Sequence, residues 1–453
     1  MLDSNWNTYL SKVIIHFTDS LDFEITGEDK ILQVSLKEEL SNNTANPIGV
    51  VSANTISIKF IDTEKLFGRN NTASEYYGYA KEGLKLEYFI SLDGGPFNRA
   101  GVYYITNFEV DTSNHIYNVV NVNAADMIQY LGNEPIKDVM IEEGSTVKDY
   151  LKSVLKGLGL NDSEINISET LDKPLKYNYS VGAKYKDILN SICQSYLCNI
   201  FIDRDGVVNC IDLVDRALET NYEMQFDSET NIFSTSIGDE LLSNYNAVKV
   251  NFIEPTIGES EEVHKIENLE VGSGENVISR IVLPQDKKLN MVDYVAVINQ
   301  EGDSKVEVSD ITTYQSAIDL TLYNHGNACK VNVTIYGFFL YDNKTYIELV
   351  KEGIDRKNIK FLEVNTDLIQ DREYANQYAS FILNYISHDM AYIKLRAKGN
   401  PLLGLGEVCS ISSDVLDIDV LGILASSNIS VSGGYSQELM FINCEAINDS
   451  AGQ

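Results

Sequence analysis

Basic residues are scarce in this chain. Lys and Arg number 35 against 67 Asp and Glu, a formal net charge of −32 over 453 residues. A protein that binds nucleic acid needs Lys and Arg to replace phosphate counterions, so the charge argues against ordinary nucleic-acid binding, and no specific nucleic-acid binding is expected. The acid excess has two readings: solubility, or a channel wall that repels passing DNA. Only seven prolines are present, which argues against long Pro-rich linkers and for domains that abut. No apolar run approaches the roughly 20 residues that a bilayer span requires, so no membrane insertion is expected. The start, Met1-Leu2-Asp3-Ser4-Asn5, lacks a basic-then-apolar signal peptide. A soluble protein, released by lysis or inside a larger particle, is expected.

Six cysteines (Cys193, Cys198, Cys210, Cys329, Cys409, Cys444) are few for this length and sit mostly in apolar, strand-like contexts. They read as small buried hydrophobes made in a reducing compartment. Cys193 and Cys198 lack zinc-knuckle spacing, and the five histidines (His16, His115, His264, His325, His388) are scattered with no HExxH pair. GxSxG and GxxxxGK[ST] are absent. Asp203-Arg204-Asp205-Gly206 echoes a calcium loop, but it runs on into Val207-Val208 and reads as a hairpin turn. Among 67 carboxylates no glycosidase dyad stands out. The sequence therefore points to no enzyme, no cofactor and no metal.

What is present is β-structure. The 44% hydrophobic and 23% charged residues are those of a folded protein, and the length suggests two to four domains. Residues 1–132 alternate with period two, as in Thr55-Ile56-Ser57-Ile58-Lys59-Phe60-Ile61, and predict a barrel or sandwich closed by a helix at 124–131. Residues 133–235 predict a small α+β domain. One helix runs from an N-cap at Ser145 through Leu158, a second over 185–196, and a hairpin follows. β-structure returns at 243–253. The acidic run Glu259-Ser260-Glu261-Glu262 then reads as a solvated loop, with a partner site as the sharper alternative. Residues 256–365 form a β-rich insertion in which Asn324-His325-Gly326-Asn327 turns one strand into the next. A helix capped by Thr366 or Asn365 runs to Ile386, and the chain closes in strands.

Two local features are candidate sites. Tyr76-Tyr77-Gly78-Tyr79 is a loop cluster in which Tyr76, Tyr77 and Tyr79 read either as an interface or as ordinary loop tyrosines. The second is a Gly/Pro corner between two strands, Asn400-Pro401-Leu402-Leu403-Gly404-Leu405-Gly406-Glu407-Val408. Gly404 and Gly406 serve its backbone geometry. The two ends of the chain share a plan of antiparallel strands, a helix and a Gly-rich corner.

The order of these parts, with Pro401, Leu403, Gly406, Glu407 and Val408 at the corner, resembles the baseplate hub family of phage tails and phage-tail-like particles, in which Glu407 would make a ring-facing or structural contact. The resemblance implies a mainly β, multidomain fold with α+β parts. It contains a tube-like barrel (1–132), an α+β domain (133–235), a second tube-like barrel (236–255 plus 366–453) and the insertion (256–365). It implies a homotrimer whose six barrels form a pseudo-sixfold ring joining the tail tube, or its adaptor, to a central spike. Baseplate wedge and tape-measure proteins would be neighbours, with assembly in the bacterial cytoplasm into a virion, a contractile injection system or a bacteriocin-like particle. Relatives often carry a C-terminal enzyme. This chain stops about 40 residues after the corner, which implies a separate cell-wall enzyme. The alternative reading is a β-rich tail protein that binds or cleaves cell-wall glycan.

Overall fold

The computed structural model describes residues 7–27, 29–40, 49, 51–68, 70–114, 116–136, 145–175, 183–238, 245–283, 288–299, 305–314, 317–388, 392–414, 417–432 and 434–451. His115 lies outside them. The N-terminal third carries β1 (Tyr9–Thr18), β2 (Leu21–Thr26), β3 (Ile31–Glu39), β4 (Thr55–Asp62), β5 (Lys85–Leu92), β6 (Asn98–Asp111), β7 (Asn118–Ala125) and α1 (Met127–Leu131). The α+β part holds α2 (Val147–Gly157), β8 (Ile165–Ile167), α3 (Tyr185–Tyr196), β9 (Cys198–Ile202), β10 (Val208–Asp212) and α4 (Leu213–Ala217). Then come β11 (Met224–Asp227), β12 (Ile232–Gly238), β13 (Ala247–Val271), β14 (Gly274–Val282), β15 (Lys288–Asn299), β16 (Val306–Thr313), β17 (Ala317–Asn324), β18 (Cys329–Val350) and β19 (Phe361–Asn365). The chain ends with α5 (Arg372–Ile386), β20 (Tyr392–Ala397), β21 (Val408–Ser413), β22 (Ile418–Val431), β23 (Tyr435–Asn443) and α6 (Cys444–Ala451).

One sheet runs through both ends of the chain in the order β12-β20-β23-β22-β3-β4-β7-β6-β5-β1-β2, with β21 paired to β22 and β11 to β21. Alternation along the strands sends one set of side chains inward. Val13, Ile15, Ile58, Phe60, Tyr88 and Val120 fill an N-terminal core, and Phe226, Ile393, Leu395, Ile411 and Phe441 fill a C-terminal one. The fold is mainly β and multidomain, with two barrel-like units, as the sequence predicted.

The two units repeat one strand order. β3-β4-β7-β6-β5-β1 at the N-terminal end corresponds to β12-β20-β23-β22-β21-β11 at the other. Irregularities recur at matching places. β6 and β22 each have 14 residues and each breaks register once against the following strand, at Ile105/Asn107 and at Leu424/Ser426. β3 and β12 bulge at Leu32 and Phe233. Asp126 and Asn443 occupy matching positions at the junction of the last strand and the helix that follows, and each accepts a backbone N–H of that helix. One difference stands out: β1 joins β5 antiparallel, whereas β11 joins β21 parallel.

Several local expectations change. Helix α5 starts at Arg372, six residues later than the sequence suggested, because Asp371 is the N-cap and accepts from the Tyr374 amide at 2.9 Å. Thr366 instead closes a local turn by accepting the Leu368 amide. Thr146, not Ser145, caps α2 through a reciprocal capping box with Asp149. Residues 124 and 125 end β7, so α1 is shorter than expected. The chain closes on α6 rather than on strands.

The acidic run 259–262 is strand, not loop. It lies in the 25-residue β13, which pairs with β18 through this run, and Glu259 and Glu262 are exposed while Glu261 accepts the Tyr341 hydroxyl. β17 and β18 do not pair. The Asn324–Asn327 turn passes the chain between two facing sheets, β15-β18-β13-β19 and β14-β17-β16. These sandwich Val331, Val333 and Ile335 against Ile318, Leu320 and Leu322. β11 and β12, assigned by sequence mostly to the α+β segment, pair with β21 and β20. Residues 247–253, assigned to the second barrel, form the base of the insertion's ribbon against β18 and β19. There Val248, Val250 and Phe252 pack with Ala379 and Ile382 of α5.

Candidate functional site

The Gly/Pro corner connects β20 to β21, and the Tyr76 loop connects β4 to β5. The two candidate sites therefore occupy the same connection in the two repeats.

The corner is built from its own polar groups. Asn400 Oδ1 accepts the Leu402 amide at 2.9 Å, and the Asn400 carbonyl accepts the Leu403 amide at 3.0 Å. Glu407 Oε2 accepts the Gly404 amide at 2.8 Å. Burial raises the Glu407 carboxyl pKa, and that Gly404 N–H partly offsets the rise. Pro401 is buried, and Leu403 is sealed into the C-terminal core. Gly406 has φ +76°, and a Cβ there would lie 3.3 Å from Ile211 Cδ1. Its amide donates to Leu424 O, and the Leu424 amide donates back to Glu407 O, both at 2.9 Å. The Glu407 carboxylate thus bonds within its own loop.

The sequence did not point to what holds the corner. Arg204, in the β9–β10 turn, donates Nε to Glu38 Oε1 at 2.8 Å and Nη2 to Glu38 Oε2 at 2.6 Å. Its Nη1 donates to Pro401 O at 2.7 Å and its Nη2 to Leu403 O at 2.9 Å. Burial disfavours the charge, but the Glu38 carboxylate outweighs it and raises the guanidinium pKa. A planar five-donor fork is the group that can satisfy a carboxylate and two carbonyls at once. Arg216 adds a bond from Nε to Gly406 O at 2.7 Å. The supporting hairpin turn is held by the Asp203 carboxylate, which accepts the Asp205 and Val207 amides at 3.0 and 2.9 Å. The α+β part thereby grips the N-terminal barrel at Glu38 and the C-terminal barrel at the corner. No local signal showed this, because an Arg between two Asp in a turn suits an exposed position equally well.

The tyrosine cluster divides. Tyr76 is buried, its ring 5.2–5.5 Å from those of Phe17, Phe23 and Phe67, and its hydroxyl donates to Asp22 O. Tyr77 and Tyr79 are 49% and 41% exposed.

The outward face of the shared sheet is polar and balanced in charge. Lys37, Lys59, Lys394 and Arg396 alternate with Glu39, Glu109, Asp111 and Glu438 among Ser35, Ser57, Ser234, Ser236, Ser426 and Asn428. At the seam of the two barrels this face holds a cavity of about 620 Å³ lined by Lys37, Glu39, Lys394, Arg396 and Glu438. Among the described residues, no group of three or more His, Cys, Asp or Glu could hold a metal ion. Among the described residues no helix is long and apolar enough to cross a membrane.

No protein-family profile and no curated protein matches the chain. Solved structures do. The 43 kDa tail protein of prophage MuSo2 from Shewanella oneidensis superposes with a TM-score of 0.53 at 8% identity, over 97% of this chain and 99% of that one. The tail protein from Neisseria meningitidis MC58 superposes with a TM-score of 0.55 at 10% identity, over 98% and 99%. From end to end, the chain has the fold of phage tail proteins.

Proposed function

We propose that the chain is the structural baseplate hub of a phage tail or phage-tail-like particle. Three copies form a ring in which six barrels meet the hexameric tail tube or its adaptor on one side and a central spike on the other. Wedge and tape-measure proteins are its neighbours, its place is the baseplate of the assembled particle, and its role is non-enzymatic. One observation carries this reading: the two repeats are fused edge to edge into one sheet through β22 and β3, pairing Ser426–Val431 with Val34–Glu39. A subunit holding two equivalent barrels side by side is the unit from which three copies make a sixfold-like surface. On this reading the outward polar face lines the channel. Its hydroxyl-rich, charge-balanced surface gives passing DNA or protein little to adhere to, and the chain's acid excess lies on its other surfaces. Native mass spectrometry tests the reading. Three copies of the 50.7 kDa chain give about 152 kDa, whereas a monomer at every concentration, alone and with the tube protein, contradicts it.

A second reading, glycan binding by the inserted sandwich, draws on its outer face. Tyr294 is 51% exposed and stacks on Tyr336 with centroids 4.5 Å apart. Aromatic rings with nearby carboxylates suit sugar C–H faces and hydroxyls. Retention of the intact chain on purified cell walls, lost in Tyr294→Ala, would favour it.

A further inference from the structure

The repeat carries a prediction about the subunit contact. Within one chain, β3 of the first barrel adds antiparallel to the far end of β22 in the second, with Asn428, Ile429 and Ser430 opposite Lys37, Leu36 and Ser35. That end of β22 is open to β3 because β21 pairs only as far as Ile423. The equivalent strand in the first barrel is β6, and it too has an overhang. β5 follows it from Asn98 to Tyr104, while Asn107–Asp111 pair only with β7 among the described residues. The equivalent of β3 in the second barrel is β12. It ends the sheet, with β20 as its partner strand among the described residues. One half of the contact made inside the chain is thus left over at each end of the subunit.

We infer that β12 of one copy adds antiparallel to the β6 overhang of the next copy, placing Glu109, Val110 and Asp111 opposite Gly238, Ile237 and Ser236. The register is not free. Aligning the two barrels on their matched bulges places Val110 where Ile429 sits, and Ile237 where Leu36 sits.

Three observations support this occupant. First, unpaired strand edges are templates for another strand, and a head-to-tail contact between two different edges of the same chain builds a ring when its rotation closes. Second, the charges complement each other on one face of the sheet. Glu109 and Asp111 are exposed on the overhang. Beside the other edge, Lys394 and Arg396 are exposed on β20, opposite Ser236 and Ser234. Neither cation makes an ion pair among the described residues. Across the new seam Lys394 lies beyond Ser236 from Asp111, two strand spacings or about 10 Å between backbones, within reach of a lysine and an aspartate. Third, there is room. A groove of about 1370 Å³ runs along the overhang, lined by Phe67, Asn71, Phe108, Glu109 and Val110. Phe108 and Val110 are only partly buried there, whereas Ile429, the counterpart of Val110, is 1% exposed at the filled seam.

This inference rests on the ring reading and names its contact. The test uses the full-length chain with E109K/D111K, K394E/R396E and the combination of all four substitutions. The wild type runs as a trimer. Each charge-reversed pair loses the trimer while its far-UV circular dichroism is kept, and the four-fold variant regains it. In the trimer the amides of 108–111 and 234–237 exchange slowly with solvent, and in the charge-reversed pairs they exchange fast. A wild-type trimer that persists in both pairs overturns this contact and leaves the ring. Loss of the trimer without recovery in the four-fold variant overturns the charge register. A wild-type chain that never assembles overturns both.

Discussion

Arg204 and Glu38, 166 residues apart in sequence, form a two-bonded ion pair whose guanidinium also donates to the carbonyls of Pro401 and Leu403. Three parts of the chain meet on one side chain. The carboxylate side chain is 4% exposed and the guanidinium side chain 13%, so neither is effectively solvated if the other is removed.

Arg204→Met leaves Glu38 buried and unpaired and is expected to cost about 3–5 kcal/mol. Adding Glu38→Leu recovers most of this loss, because the double variant buries no lone charge. Urea midpoints of the wild type, the single and the double variant measure the effect. A single variant as stable as the wild type would remove the clamp from the account.

Gly406 and Gly404 separate backbone strain from crowding. Gly406→Ala forces an L-residue into φ +76° beside Ile211 and is expected to cost about 1–2 kcal/mol. At Gly404 the nearest atom to a new Cβ is Glu407 Oε1 at 3.4 Å, on a side chain able to shift. Gly404→Ala is therefore expected to stay within about 0.5 kcal/mol of the wild type. Thermal midpoints of the two variants rank them.

Asp126 accepts the Asn54 and Gln129 amides, yet burial dominates and its pKa rises from 3.8 to about 6. The folded state therefore holds this proton more tightly than the unfolded chain. Its stabilising contribution is complete below about pH 4 and is lost as pH rises through about 6. Relative to Asp126→Asn, which does not titrate, the wild type is expected to lose about 1–2 kcal/mol between pH 5 and 8. Paired urea curves across that range read the difference. A constant difference contradicts the raised pKa.

The tyrosine loop yields a contrast. Tyr76→Ala empties an aromatic cluster and is expected to cost about 3–5 kcal/mol. Tyr77→Ala and Tyr79→Ala are expected to leave stability within about 0.5 kcal/mol. If those two side chains serve an interface, their loss appears in assembly, read as the trimer fraction in native mass spectra.

Period-two alternation made the strands legible, because a half-buried sheet imposes it directly on the sequence. The helices were legible from their apolar stripes but not from their starts. Ser145 and Thr146, or Thr366 and Asp371, are equally good caps until tertiary packing selects one. The repeat left a trace that escaped sequence reading: Gln33-Val34-Ser35-Leu36-Lys37-Glu38-Glu39-Leu40 and Ser234-Thr235-Ser236-Ile237-Gly238-Asp239-Glu240-Leu241 share Ser, Glu and Leu at matching places. The corner motif was visible as a turn, but its function as a grip was not. Its partner Arg204 is remote in sequence, and long-range pairing leaves no local pattern.

The central claim is that two equivalent barrels per chain, fused through β22 and β3, make a sixfold-like ring from three copies. End-on electron-microscopy averages of the purified full-length chain test it most directly. The account predicts a threefold ring with six lobes of similar size around an open channel. Three lobes, a closed centre or isolated two-lobed particles would contradict it.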